Sequence, residues 1–376
     1  MKLVIIIPSI TNYHVFLKET CCKLIKEGHT VHLITSKRHL NGSIDSNTTI
    51  YGNLHIIDFP RKFNLFKFFP AIIRIILLLK KVNPDLIHGH FLITTFLLSI
   101  CKIFTPYKII ATLHGVNSYA LCGFKKYIYL FVESLSIFLL DHVFVLNKED
   151  QSYLRSFSND VILHKDFGIG CNIERFDPSN INYKSVSNIS ERFNFNGSEF
   201  VFVFIGRFVY FKGFALVVKS FLVHLNNFPN SKLLLIGDFD EIHESGLSEI
   251  EKDSFYSCSS IFNVGWVDNV QDYLSISHVM VFPSFREGFP VCIMESLSMG
   301  VPVITINSRG CNEIVFNQFN GYVTNPDASS IAKKMDEIAC DFTLYSQLST
   351  NALSVRDKYD RKLFTNNQYD IYKKLT

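Results

Sequence analysis

Short uninterrupted runs of Val, Ile, Leu and Phe alternate along this chain with longer stretches in which apolar residues recur every three or four positions. In the first half the runs predict β-strands at Leu3–Ile7, Thr30–Thr35, Leu54–Ile57, Leu86–His88, Lys108–Leu113, His142–Leu146 and Val161–Leu163. Between them, His14–Glu27, Phe68–Lys81 and Lys125–Leu140 have helical spacing. The strand runs are continuous rather than alternating, so both faces of the sheet must be covered. Strands of that kind, separated by helices, predict an open parallel sheet.

The pattern breaks at "FDPSNINYKSVSNISERFNFNGS", residues 176–198, which is rich in Asn, Ser and turn formers and reads as a linker. It restarts with strands at Phe200–Ile205, Lys232–Ile236, Ser260–Val264, Val279–Phe282 and Pro302–Thr305. The chain is therefore expected to be α/β, with Rossmann-like domains at residues 1–175 and 199–358 joined by 176–198. A C-terminal helix in 359–376 is expected to pack back on the first domain. Two such units in tandem imply a central cleft, because ligands of open parallel sheets bind outside the carboxyl ends of the strands.

Composition narrows the function. Apolar residues make up 48% of the 376 positions, enough for two cores, and the 36 Phe suggest contact with a greasy surface. No run reaches the roughly 18 apolar residues of a membrane span, and "MKLVIIIPSI" reads as a first strand rather than a signal peptide. Nine cysteines, odd in number and without a CxxC pair, indicate reduced thiols and a cytoplasmic location. The net charge of +3 is unevenly spread: residues 1–180 carry 20 Lys and Arg against 13 Asp and Glu, the rest 17 against 21. A basic, Phe-rich half suits an anionic membrane surface or a polyphosphate. Nucleic acid is not expected, since no basic cluster or recognition motif accompanies the charge. A dinucleotide fingerprint is missing: "PSITNYHVF" follows the first strand without a glycine, and Gly168-Ile169-Gly170 has no third glycine at the right spacing.

Two segments carry chemistry. In "VFVFIGRFVYFKGF", residues 201–214, a strand ends at Gly206, Arg207 follows, and Lys212-Gly213 opens a helix. Two cations and a helix N-terminus suit a diphosphate. In "PSFREGFPVCIMESLSMGVPVI", residues 283–304, Glu287 lies on a loop, Pro290 sets the first turn of a helix over Val291–Met299, and Gly300 stops it. Glu295 sits inside that helix among Ile293, Met294 and Leu297, where a carboxylate needs a partner such as a ribose diol. Taken alone, these residues read equally well as solvated surface charges and an N-cap carboxylate.

Together with Gly300-Val301-Pro302-Val303-Ile304, the Gly206-Arg207…Lys212-Gly213 and Glu287-x7-Glu295 patterns closely resemble glycosyltransferase family 4. Pro84-Asp85-Leu86-Ile87-His88, Thr112-Leu113-His114-Gly115, Gly265-Trp266-Val267 and Arg309-Gly310-Cys311-Asn312-Glu313 extend the resemblance over nearly the whole chain. It implies a retaining, nucleotide-sugar-dependent enzyme of the GT-B fold, with parallel sheets facing a central cleft. It implies that Arg207 and Lys212 hold the donor diphosphate, with the N–H groups of Val291 and Cys292 beside Phe289 directed at the same anion. Glu295 would bind the ribose, the backbone near Val267 the base, and Glu287 and His114 would act at the sugar. For His114 the plainer reading is a strand-end core histidine.

The resemblance is incomplete at Ser9–His14, which lacks the family's glycine-rich loop, so Tyr13 or His14 is expected to touch acceptor or donor instead. Asp238-x-Asp240 resembles the metal-binding motif of the other glycosyltransferase fold but reads here as a turn, so no metal or other cofactor is expected. The expected reaction moves a hexose or N-acetylhexosamine, UDP-linked, to an undecaprenyl-diphosphate-linked saccharide in O-antigen or capsule synthesis. The expected location is peripheral, at the inner face of the cytoplasmic membrane. Lys62, Lys67, Lys125 and Lys126, each among aromatics, are expected on the membrane side. The alternatives are another GT-B enzyme (a phosphorylase or nucleotide-sugar epimerase) and a non-catalytic partner that binds a nucleotide sugar or membrane. Retention through a covalent intermediate and through front-face attack are both open.

Overall fold

The computed structural model describes residues 1–37, 48–60, 65–157, 161–165, 168–240 and 243–376, with 48, 49, 65–67 and 120 as backbone alone. The chain divides into two compact units, Met1–Ile169 with Lys362–Thr376, and Gly170–Arg361.

The first unit is a parallel sheet of β1 (Lys2–Ile6), β2 (Thr30–Thr35), β3 (Asn53–Ile56), β4 (Leu86–His90), β5 (Ile109–Leu113), β6 (His142–Val145) and β7 (Val161–Leu163), in the order β3-β2-β1-β4-β5-β6-β7. Side chains alternate across a strand, so the first run feeds two cores. Val4 and Ile6 pack with the helices Leu65–Val82, Leu92–Ile103 and Gly123–Leu139. Leu3, Ile5 and Ile7 pack on the other face with Leu17, Cys21, Tyr369 and Tyr372. The C-terminal helix, Arg361–Leu375, is thus a layer of the first unit from Lys362 onward.

The second unit holds β8 (Val201–Ile205), β9 (Lys232–Ile236), β10 (Ile261–Gly265), β11 (Val279–Val281), β12 (Val303–Ile306) and β13 (Gly321–Thr324), all parallel, in the order β10-β9-β8-β11-β12-β13. Its core uses the surplus Phe: Phe204, Phe208, Phe214 and Phe282 stack or tilt against one another, with Phe208 and Phe214 4.5 Å apart. Strand order reverses between β1 and β4 in one unit and between β8 and β11 in the other. Ligand crevices of open sheets form at such switch points.

Three differences from the sequence reading have physical causes. Residues 176–198 are not a bare linker: Tyr183–Arg192 is a helix within the second unit, capped by Asn182, and Ser185 Oγ donates to Asp272 at 2.6 Å. Its apolar signal is thin because Ile189 is its one buried residue. The stretch His14–Glu27 forms two helices, Ile10–Phe16 and Lys18–Lys26, because Leu17 between them leaves helical geometry at φ −131°. The edge strand β13 is short and follows a turn, so it lacks the long apolar run that marked the others.

Candidate functional site

In the second unit, the loops after β8 and β11 meet at the switch point. Glycine makes that possible. Gly213 has φ +77°, and a Cβ there would lie 2.1 Å from the Pro283 carbonyl oxygen. With that approach allowed, Phe285 N–H donates to the Phe211 carbonyl at 2.9 Å, and Ser284 Oγ lies 3.1 Å from the same oxygen. Gly310 plays the same part beside Gly288, whose carbonyl would sit 2.6 Å from an added Cβ.

These loops bring Lys212 against Glu287. Lys212 Nζ donates to Glu287 Oε1, Ser284 Oγ donates to the same oxygen at 2.9 Å, and Arg309 Nε donates to the Glu287 carbonyl at 3.0 Å. Arg309 is buried, so the guanidinium braces the loop from below. Phe289 is buried too. The helix Val291–Ser298 follows, with Pro290 at its N-cap and no side-chain cap. Its first-turn N–H groups, Val291 and Cys292 among them, lack intrahelical acceptors. Burial raises the Cys292 thiol well above its usual range, with Glu287 and Glu295 adding to the rise and Lys212 opposing it. Burial likewise pushes Cys311 up to about 12.

Arg207 has a different partner. Its guanidinium, 46% exposed, donates to Asp240 Oδ2 at 2.5 Å, while His243 Nδ1 lies 3.0 Å from the other oxygen. Asp238 accepts from the Phe239 N–H at 2.8 Å. The two carboxylates of the Asp-x-Asp stretch thus have separate local partners. Among the described residues, no group of three or more His, Cys, Asp or Glu is arranged to hold a metal.

Glu295 makes no hydrogen bond or salt bridge with its side chain among the described residues. Burial raises its pKa, and Arg361 and Arg175 lower it. Arg175 also donates to the Asp268 carbonyl and, at 3.0 Å, to Gln271, which ties the segment after Val267 to the same neighbourhood. A depression of about 750 Å3 lined by Asn307, Asn312, Asn317 and Lys333 contains none of the expected residues. The loop geometry, not cavity size, marks the site.

In the first unit, His114 follows β5. Its Nε2 lies 3.1 Å from His90 Nδ1, Phe91 stacks on its ring at 4.3 Å, and Phe16 meets it edge-on at 4.7 Å. Burial, helped by His164, lowers its pKa to about 3, so the ring is neutral at physiological pH. Tyr13 is corrected to a core residue: it is fully buried, its hydroxyl donates to the Ile50 carbonyl, and burial raises its pKa. His14 is half-buried, with Nε2 3.0 Å from the Tyr51 hydroxyl. Lys125 is exposed and Lys126 half-buried at the start of Gly123–Leu139. Lys62 and the side chain of Lys67 lie outside the described residues.

Sequence reasoning missed Asp240 as the partner of Arg207, Ser284 and Arg309 as supports of Glu287, Arg175 and Arg361 beside Glu295, and His90 beside His114. Only the His-x-His alternation at 88–90 gave a local signal, since it puts both rings on one face of β4.

Two Rossmann-like units with this loop pair at the second switch point define a glycosyltransferase of the GT-B class. The chain belongs to the group 1 and 4-like glycosyl transferases: the model of glycosyl transferases group 1 matches residues 185–355, and that of glycosyl transferase 4-like proteins matches residues 4–145. It is similar to the capsular polysaccharide biosynthesis glycosyltransferase CapM of Staphylococcus aureus, 24% identical over 93% of this chain and 91% of the relative. An Escherichia coli UDP-Gal:α-D-GlcNAc-diphosphoundecaprenol α-1,3-galactosyltransferase is 26% identical over 70% of this chain and 68% of its own. The fold matches that of Anabaena HepE in complex with UDP, with TM-score 0.80 and 15% identity over the full length of both chains.

Proposed function

We propose that the enzyme transfers a hexosyl or N-acetylhexosaminyl group from a UDP-sugar to a lipid-linked saccharide, with retention, in assembly of a bacterial surface polysaccharide. The observation that carries this reading is the Lys212–Glu287 contact, set beside the uncapped N-terminus of Val291–Ser298 at the switch point. Negative charge grows on the departing diphosphate. Lys212, Arg207 and the first-turn N–H groups are the donors suited to stabilise it. Lys212 then exchanges its carboxylate partner for phosphate oxygen, which frees Glu287 to face the sugar as positive charge develops there. Glu295, without a side-chain hydrogen bond among the described residues, offers its carboxylate to the ribose hydroxyls. Front-face attack by the acceptor hydroxyl accounts for retention without a covalent intermediate. The Escherichia coli relative named for a diphosphoundecaprenol-linked acceptor supports the acceptor class, and the UDP-bound neighbour supports the nucleotide.

The membrane side is the outer face of the first unit. Along Gly123–Leu139, Phe124, Tyr127, Phe131 and Phe138 are 80%, 68%, 65% and 83% exposed. In the helix Leu65–Val82, Ala71, Ile75 and Leu79 are buried, whereas Phe69, Ile73 and Leu77 are exposed. Among the described residues no helix is long and apolar enough to cross a membrane; we place the contact in insertion of these aromatics beside Lys125 and Lys126.

The test is a panel of labelled nucleotide sugars with membranes bearing lipid-linked saccharides. Label should enter the lipid fraction from a UDP-sugar, with UDP released only when acceptor is present. UDP release and label transfer that do not depend on acceptor, or no lipid labelling from any donor, would reject the reading.

A further inference from the structure

His90 sits near the end of β4 and is fully buried, as is His88 two residues before it on the same face. His88 is held at both nitrogens: Nδ1 lies 2.7 Å from the Tyr372 hydroxyl and Nε2 2.9 Å from Thr112 Oγ1. Its ring centroid is 4.0 Å from that of His90. A fixed ring therefore backs His90, whose Nδ1 meets His114 Nε2 at 3.1 Å. The remaining nitrogens, His90 Nε2 and His114 Nδ1, are shut off from solvent and have no hydrogen-bond partner among the described residues.

This arrangement restricts the protons. Burial lowers both pKa values, so each ring is neutral and carries one N–H. A single proton must lie between His90 Nδ1 and His114 Nε2, since two would clash and none would leave two lone pairs opposed. If His90 donates, His114 Nδ1 carries a proton. If His114 donates, its Nδ1 is a bare acceptor. The tautomer of one ring dictates that of the other. Buried polar atoms are nearly always paired, so a solitary His114 Nδ1 is a place for an ordered water or, once Phe16 or Phe91 moves off the ring, for a substrate hydroxyl.

We infer that His90 is a positioning residue, which fixes the tautomer and ring orientation of His114 and so decides whether Nδ1 donates to or accepts from a sugar hydroxyl. The inference rests on the reading of His114 as a residue of the sugar site.

The experiment compares His90→Phe, His90→Asn, His114→Ala and the His90→Phe/His114→Ala double variant of the full chain. Phe keeps a flat aromatic ring, somewhat larger, but no hydrogen bond, whereas the Asn amide lies near the Nδ1 position and can donate or accept. Turnover is measured with the labelled donor and lipid acceptor selected by the panel above. The expected result is a kcat on the order of 10- to 100-fold lower in His90→Phe, the scale at which outer partners of a functional imidazole act. Donor KM should be unchanged, activity largely restored in His90→Asn, and the double variant no worse than His114→Ala. In ligand-free protein, ¹⁵N imidazole shifts should show one His114 tautomer in wild type and a mixture in His90→Phe. Simple packing predicts the reverse order, with Phe tolerated and Asn impaired, and that result overturns the inference. So does a mixed His114 tautomer in wild type. Wild-type turnover in His114→Ala would instead remove the reading on which the inference stands.

Discussion

At the scale of single residues, the substrate-free protein keeps its site charges in carboxylate pairs. Arg207 is held by Asp240 and Lys212 by Glu287. Arg207→Ala should leave folding intact, because the side chain is half-exposed, yet slow turnover. Losing one contact to a departing anion costs about 2–4 kcal/mol, roughly 30- to 1000-fold in rate. A folded variant with normal kcat would remove Arg207 from the phosphate site. The glutamates should separate kinetically: Glu287→Gln lowers kcat, and Glu295→Gln raises donor KM. Equal KM effects with normal kcat in both would undo the assignment. Glu295 adds a pH signature. Its folded pKa is raised by burial, so the native state binds this proton more tightly than the unfolded chain. The site therefore costs stability above the ordinary carboxylate pKa, and the cost disappears as pH falls below it. Glu295→Gln should raise the Tm of ligand-free enzyme at pH 7 and lose that advantage near pH 4. A Tm difference independent of pH would contradict the sign.

At the scale of elements, two loops depend on backbone approach. Gly213→Ala adds a methyl 2.1 Å from the Pro283 carbonyl at a position with φ +77°. The strain alone costs about 1–2 kcal/mol, and the clash forces apart the loops that carry Lys212 and Glu287. Activity should therefore fall further than stability, as measured by turnover and urea midpoint on the same preparation. Equal losses, or none, would deny the loop contact its role. The helix Gly123–Leu139 makes a second prediction. Each basic side chain near an anionic bilayer contributes about 1 kcal/mol, so Lys125→Ala/Lys126→Ala should weaken vesicle binding roughly 30-fold. Adding Phe131→Ser and Phe138→Ser should weaken it further, with donor binding in solution unchanged. Unaltered co-sedimentation with anionic vesicles at moderate salt would place the membrane contact elsewhere.

At the scale of the whole molecule, the first unit buries an unusual amount of neutral imidazole. His88 and His90 are lowered well below the ordinary histidine pKa and His114 to about 3, all chiefly by burial. Unfolded histidine binds protons near pH 6.5. Between that pH and the folded values the unfolded chain holds more protons, so stability must drop as pH falls from 7 toward 4. Urea midpoints at pH 7.5, 6 and 5 should decline steadily. Hydrogen exchange should show protection lost first in β4, β5 and the helix Arg361–Leu375, which carries Tyr372. A flat pH profile, or protection lost first in the second unit, would show that the histidine cluster does not set acid stability.

The sequence by itself determined the class of fold, because strands buried on both faces are continuous apolar runs and local composition records that directly. It also marked the glycines and Pro290 that shape the site loops, and the charges at 207, 212, 287 and 295, since their types and spacing are properties of short segments. It left Tyr13 on the wrong side of that line: a tyrosine in a loop-like stretch looks available, but its ring fills the core and the Ile50 carbonyl takes its hydroxyl. Only the tertiary structure decided the pairings. Lys212 meets Glu287 from 75 residues away because β8 lies beside β11, and Arg207 meets Asp240 because β8 also lies beside β9. His90 reaches His114 through the register of β4 on β5. Hydrogen bonds and ion pairs act over a few ångströms, so their partners are set by strand order, which no local pattern of residues encodes.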